Sequence, residues 1–396
     1  MESLRDVDVK NKRVLVRVDF NVPIDKRGDI IDDTRIRASI PTIQYLIDQG
    51  AKVIVASHLG RPKGETVERY RMDKLAEYLG LLLKRKVVKA PDCVGPEVQK
   101  IVDAMQPGDV VMLENVRFHP EEEKNNPEFC RSLAESADIY VNDAFGTAHR
   151  AHASTAGVAA ILPAYPGFLL EKEVSMLQKV LEGAEKPRVA IVGGAKVSDK
   201  LSLLENLLVK MDAIIIGGGM ANTFLKASGL DIGKSLCEDS LLDTARHLIK
   251  KAGEAGIKIF LPIDVVITEK ISDEAESKTV PVEAVPPEWM IVDIGPQTVQ
   301  SYCNCIKQAA TIFWNGPMGV YEVRQFSLGT EEIARAVAET HAVSVVGGGD
   351  SLAAVFHVGV QDKITHISTG GGATLEFLEG RELPGVAGCY LKKKVG

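Results

Sequence analysis

Cysteine is scarce: six in 396 residues, at 93, 130, 237, 303, 305 and 389, with no C-x-x-C spacing. Cys303 and Cys305 lack a second Cys or His pair at zinc-ligand distance, which leaves no metal framework. So few cysteines in so long a chain fit free, mostly buried thiols in a reducing compartment. Positive charge is not in excess either, since 47 Lys and Arg face 54 Asp and Glu for a net charge of −7. That excludes a protein whose main business is coating nucleic acid or an anionic membrane. Long apolar runs are missing too. The most apolar stretch, residues 156–170, is interrupted by Pro163 and Pro166 and falls short of a bilayer span. The charged start Met1-Glu-Ser-Leu-Arg-Asp has no apolar export core. A cytoplasmic, soluble protein is expected, with no membrane and no nucleic-acid partner.

The common nucleotide fingerprints also fail. G-x-G-x-x-G needs a third glycine, and the chain has Asn222, Leu352 and Leu375 there. Gly229-Leu-Asp-Ile-Gly233-Lys234-Ser235 is one residue short of a P-loop and follows a helical segment rather than a strand. His149-x-x-His152 lacks a carboxylate ligand at helical spacing, and Arg150 between the two repels a cation. No Ser-His-Asp or paired-carboxylate arrangement stands out.

What is present is unevenly distributed. The length suggests two domains, and a cut at residue 170 leaves 13 Arg before it and 5 after, but 10 Gly before and 25 after. Arg forks suit phosphate and carboxylate, whereas glycine turns let backbone amides approach phosphate. Short β-branched runs alternate with helical stretches throughout, at 14–18, 53–56, 110–113 and 139–141, then 189–192, 214–216, 257–261, 311–314 and 343–346. Such runs read as buried parallel strands in βαβ units, whose ligands bind beyond the strands' carboxyl ends. Between the halves, residues 170–181 carry apolar side chains at helical spacing and suit a connecting helix.

The residues after the early runs are polar or cationic: Asp19 and Asn21, then His58 and Arg61, then Arg117, then His149, Arg150 and His152. Arg35, Arg61, Arg117 and Arg150 form a candidate anion pocket, with His58, His149 and His152 nearby, although any single Arg usually pairs with a surface acid. In the second half, runs are followed by Gly193-Gly194, Gly217-Gly218-Gly219, Gly347-Gly348-Gly349 and Gly370-Gly371-Gly372. A helix opening at such a turn offers amides and its positive end to phosphate. Lys196 and Lys200 are four apart near a helix start; they serve a polyanion or are two solvated lysines beside Asp199. Asp350 either holds Mg²⁺ against phosphates or is a helix N-cap.

The segments RVDFNVP, DDTRIRA, SHLGRPKG, ENVRFHPEE, VNDAFGTAHRAHAST, GGAKVSDK, WNGPMGVYE, VVGGGDS and STGGGATLEFLEG occur in this order. Together they closely resemble the phosphoglycerate kinase family over essentially the whole chain. The resemblance implies two Rossmann-like three-layer αβα domains with mainly parallel sheets, joined by a helix and facing a cleft. It places a triose-binding domain at 1–169, with 383–396 packing back on it. A nucleotide-binding domain follows at 170–382, with 170–182 as the interdomain helix and hinge. The implied reaction is Mg²⁺-dependent phosphoryl transfer from 1,3-bisphosphoglycerate to ADP, by a monomer.

Carried over, Asp19, Asn21, Arg35, His58, Arg61, Arg117 and Arg150 would bind the triose. Lys200, Gly218, Gly219, Ile291, Asn315, Pro317, Glu322, Gly348, Gly349, Asp350 and Ser351 would bind the nucleotide, with Asp350 close to the metal. Arg35, Lys196, Lys200 and the amides of Gly371 and Gly372 would meet the transferring phosphoryl group. Two positions depart from the pattern: Ile291 stands where a Gly often lies near the adenine, and Asn222 where some relatives carry Phe. Two other classes compete: a nicotinamide-dependent oxidoreductase, against which the missing fingerprints count, and a non-catalytic anion- or nucleotide-binding protein of the same fold.

Overall fold

The computed structural model describes residues 2–183 and 185–390. The chain divides into two compact units. One comprises the chain up to Val174 with the segment from Glu382 on, and the other runs from Ser175 to Arg381.

The first unit is built on β1 (Arg13–Val18), β2 (Lys52–Ala56), β3 (Val87–Lys89), β4 (Val110–Met112), β5 (Ile139–Asp143) and β6 (Ala164–Pro166). They form one parallel sheet in the order β3-β4-β2-β1-β5-β6. The apolar runs predict four of these. The other two are three-residue edge strands, β3 half-exposed and β6 ending in proline, too short and mixed to show a run. Alternation along β1 explains the layers. Val14, Val16 and Val18 share a core with Ile36, Ile43 and Leu46 of the helix Thr34–Asp48. Leu15 joins Ile54, Val111 and Leu133 on the opposite face. Each fully buried side chain of this size contributes roughly 1.5–3 kcal/mol.

The second unit repeats the plan with β7 (Arg188–Val192), β8 (Ala213–Ile216) and β9 (Lys258–Phe260). An excursion follows through β10 (Asp264–Thr268), β11 (Ser277–Pro281) and β12 (Met290–Ile294), and then β13 (Thr311–Asn315), β14 (Val343–Gly347) and β15 (His366–Ile367). The main sheet is parallel, ordered β15-β14-β13-β7-β8-β9. The antiparallel sheet β11-β10-β12 is not anticipated by the run pattern. Its outer strand β11 is mostly exposed and polar, so it carries no apolar signature.

In each sheet the chain leaves in both directions from an early strand, between β1 and β5 and between β7 and β13. Such reversal points open a crevice at the strands' carboxyl ends. The connecting helix spans Phe168–Glu182, beginning two residues before the spacing suggests. Thr42 and Asp143 accept its first amides, from Phe168, Leu169 and Leu170, and so set the start. The boundary between the units falls inside this helix. The terminal helix Pro384–Tyr390 joins the first unit: Gly385 donates to the Ala148 carbonyl and accepts from Asn142. The rest of that segment, 391–396, lies outside the described residues. All six cysteines are free thiols. Among the described residues, no helix is long and apolar enough to cross a membrane.

Candidate active site

At the carboxyl edge of the first sheet, residues from the loops that follow β1, β2 and β4 interlock with Arg35. Asp19, 7% exposed, pairs with Arg35 Nη1 at 3.0 Å, and the same nitrogen donates to the Asn21 carbonyl at 3.2 Å. Asn21 Oδ1 accepts from the Gly60 amide at 2.8 Å, while the Gly60 carbonyl accepts from Arg117 Nη1 at 3.1 Å. Asn115 supports this loop from beneath by donating to the Leu59 and Tyr70 carbonyls. His58 is buried among these groups. Burial, then the charges of Arg17, Arg117, Arg150 and Arg35, push its pKa well below the usual imidazole value.

Arg117 feels the same crowding. Burial and the neighbouring Arg17 lower its pKa to about 10, although Glu123 lies 3.3 Å from its Nε. His152 falls to about 4, for burial first and then Arg117, Arg17 and Arg150. Cations gathered this closely gain from a bound anion.

The corresponding edge of the second sheet holds two confluent cavities. The smaller, of about 290 Å³, is lined by Lys196, Lys200, Asn315, Gly348, Asp350 and Gly371, among others. Lys200 donates to Asn315 Oδ1, and Asn315 Nδ2 donates to the Gly347 carbonyl, so the amide orients the ammonium. Burial lowers the pKa of Lys200. Lys196 and Lys200 do not lie along one helical face, as their spacing suggests. Glu238 accepts from both the amide and the hydroxyl of Ser198, which starts a short 3₁₀ turn at Ser198–Lys200 and leaves Lys196 in the preceding bend. Both still line the cavity.

Asp350 is the second residue of the helix Gly349–Val358, whose N-cap is Gly348, so its carboxylate is exposed rather than used as a cap. An exposed carboxylate beside phosphate-sized space fits the way Mg²⁺ is held, with substrate oxygens and water completing the shell; Asp199 also borders this space.

The larger cavity, of about 440 Å³, runs from Gly218 and Gly219 to the antiparallel sheet, with Ile291, Pro317, Glu322 and Asp350 along it. Gly218 has φ +69°, and a Cβ there would strike the backbone of Gly194 and Pro317, so only glycine permits this approach of two loops. The walls are mainly apolar, as a base pocket requires. Asn222 lines it while donating to the Leu236 carbonyl at 3.2 Å.

A family model described as phosphoglycerate kinase matches residues 4–381. The chain belongs to the phosphoglycerate kinase family. It is 58% identical over 384 residues to a phosphoglycerate kinase of Moorella thermoacetica, covering 97% of this chain and 98% of the relative. The Pelotomaculum thermopropionicum phosphoglycerate kinase is 57% identical over 385 residues, with the same coverage. Among solved structures, the Coxiella burnetii phosphoglycerate kinase superposes with a TM-score of 0.92 at 45% identity, covering 98% of both chains. That of Pyrococcus horikoshii OT3 gives 0.82 at 37% identity, again over 98% of both.

Not every residue that the family pattern brings reaches a cavity wall. Ser351 is fully buried and its hydroxyl accepts from the Gly316 amide at 2.6 Å, so it shapes the loop. Gly372 lies just behind Gly371 as the first residue of a helix and lines neither cavity. Arg61 is exposed at the rim of the first site. Asp92, Cys93 and His119 bring three potential metal ligands within 4.8 Å. His119 Nε2 is already 2.6 Å from Asp92, and the Cys93 thiol donates to the Glu114 carbonyl, so the group is a hydrogen-bonded support. Arg17 and Glu122, both fully buried, have no place in the sequence reading. The signal was a charge inside the apolar run of β1.

Proposed function

We propose that this chain catalyses reversible phosphoryl transfer between 1,3-bisphosphoglycerate and ADP, giving 3-phosphoglycerate and ATP. In this reading the first unit, with Asp19, Asn21, Arg35, His58, Arg61, Arg117 and Arg150, binds the triose acid. The second binds the nucleotide through Lys200, the glycine turns, Asn315, Pro317 and Glu322, with the base between Gly218, Gly219 and Ile291. What carries the reading is the charge arrangement, in which Arg35, Arg117 and Arg150 gather at one sheet edge and a lysine-lined cavity with the exposed Asp350 carboxylate lies at the other.

The chemistry asks for little else. In the ATP-consuming direction the nucleophile is a carboxylate already ionised at neutral pH, so no general base is required. Catalysis then reduces to alignment and to neutralising charge on the transferring group. Arg35 and Lys196 take that task, with the amide of Gly371, while Lys200 and Asp199 border the phosphate cavity. Asp350 would hold Mg²⁺, which supplies neutralisation of the nucleotide phosphates. The working form in this reading is a monomer.

Because the half-sites belong to different units, direct transfer requires the units to bring them together, and we place the hinge at the helix Phe168–Glu182 and its flanks. Closure of this kind excludes water from a hydrolysable acyl phosphate. The test is a coupled assay with ATP, Mg²⁺ and 3-phosphoglycerate, in which NADH oxidation by a downstream dehydrogenase reports the acyl phosphate. Oxidation that depends on both substrates is expected; none at saturating substrate would overturn the proposal.

A further inference from the structure

Arg17 occupies a position where β1 otherwise presents apolar side chains, and it is fully buried. Its three kinds of donor are all engaged. Nε donates to Ser154 Oγ at 2.7 Å, Nη1 to the Val18 carbonyl, and Nη2 lies 3.2 Å from His58 Nδ1. Its countercharge arrives indirectly. Glu122, also fully buried, accepts from Ser154 Oγ at 2.6 Å and from the Ser154 amide at 2.9 Å, so one serine links the two buried charges. That linkage fixes where the guanidinium points.

A guanidinium has N–H donors and no acceptor. The nitrogen it faces must therefore offer a lone pair, which puts the ring proton of His58 on Nε2. A second proton on Nδ1 would oppose the guanidinium directly. The groups charged around the ring are Arg17, Arg117, Arg150 and Arg35, and all disfavour a further positive charge.

We infer that Arg17 is a positioning residue that fixes His58 as the neutral Nε2–H tautomer, so that the imidazole meets an anionic substrate oxygen only as a donor. The inference rests on the proposed triose site for its purpose, although the tautomer itself follows from the hydrogen bonds. A histidine locked in this way keeps its donor through the physiological pH range, whereas an ordinary one changes charge there.

The test uses the full chain labelled with ¹⁵N-histidine, with the His58 resonances assigned by their loss in His58→Gln. The wild type is expected to show a protonated Nε2 and a bare Nδ1 without titration from pH 5 to 8. In Arg17→Met the tautomer preference is expected to weaken and the ring to titrate nearer 6.5, with Arg17→Lys intermediate. Kinetically, the ratio of KM for 3-phosphoglycerate in Arg17→Met to that of wild type should fall severalfold from pH 8 to pH 6, while the kcat ratio changes less. The ratio cancels the substrate's own titration.

A protonated Nδ1 in the wild type, or an unchanged tautomer in folded Arg17→Met, would overturn the inference. Should Arg17→Met not fold, the wild-type spectrum still decides. Since the spectrum needs no turnover, a locked tautomer in a protein without transfer activity would defeat the proposed function and leave the tautomer assignment standing.

Discussion

At the scale of single residues, charge that acts on the phosphoryl group is distinct from charge that holds a substrate. Arg35 is anchored by Asp19 and the Asn21 carbonyl but keeps 37% of its side chain exposed. Arg35→Ala is expected to lower kcat by about 10² or more, as loss of a transition-state donor does, with the far-UV circular dichroism unchanged. Lys200→Ala should act differently, raising the KM for nucleotide more than it lowers kcat; unaltered nucleotide kinetics would remove Lys200 from the site.

His152 adds a pH signature. Its folded pKa of about 4 lies below the unfolded value near 6.5, so the unfolded state binds a proton that the native state refuses. Its contribution is complete above about pH 6.5 and is lost as the pH falls towards 4. Urea midpoints of His152→Gln should therefore decline less than those of wild type between pH 7 and pH 4.5. Sequence made Arg61, Arg117 and Arg150 legible, because they follow strand ends. It hid Arg17, because a charge inside an apolar run has no interpretation until its partners Ser154, His58 and Glu122 are placed.

At the scale of elements, the start of the helix Phe168–Glu182 depends on the end of β5. Asp143 is buried, accepts from Leu169 and Leu170, and has its pKa raised to about 7 by burial. A Cβ on Gly167 would collide with that carboxyl group. Gly167→Ala is expected to cost a few kcal/mol in urea unfolding, the range for strain imposed on a packed site.

The titration of Asp143 has the opposite sign to that of His152. Its native pKa lies above the unfolded one, so its contribution is present at low pH and lost as the pH rises through about 7. Asp143→Asn keeps the acceptor without the charge, and its stability relative to wild type should grow from pH 5 to pH 8. No trend would contradict the buried neutral carboxyl. Most parallel strands were legible as apolar runs, and β3, β6, β15 and the antiparallel β10-β11-β12 were not. Edge strands of a few residues, and the exposed outer strand β11, lack the continuous burial that writes a run into sequence.

At the scale of the whole molecule, the Arg-rich and Gly-rich halves of the chain correspond to the two units, each presenting its groups at the carboxyl edge of a parallel sheet. The acidic net charge conceals this, since both candidate sites concentrate cations or amides locally. Small-angle scattering should show a smaller radius of gyration with both substrates bound than with either alone, as closure about the helix Phe168–Glu182 requires.

In the proposed mechanism alignment and charge neutralisation suffice, without a general base or a covalent intermediate on the chain. Transfer from ATP made chiral at the γ-phosphorus with oxygen isotopes decides the point. A single in-line displacement predicts inversion at phosphorus in the acyl phosphate formed. Retention, which requires two displacements through a phosphorylated residue, would contradict it.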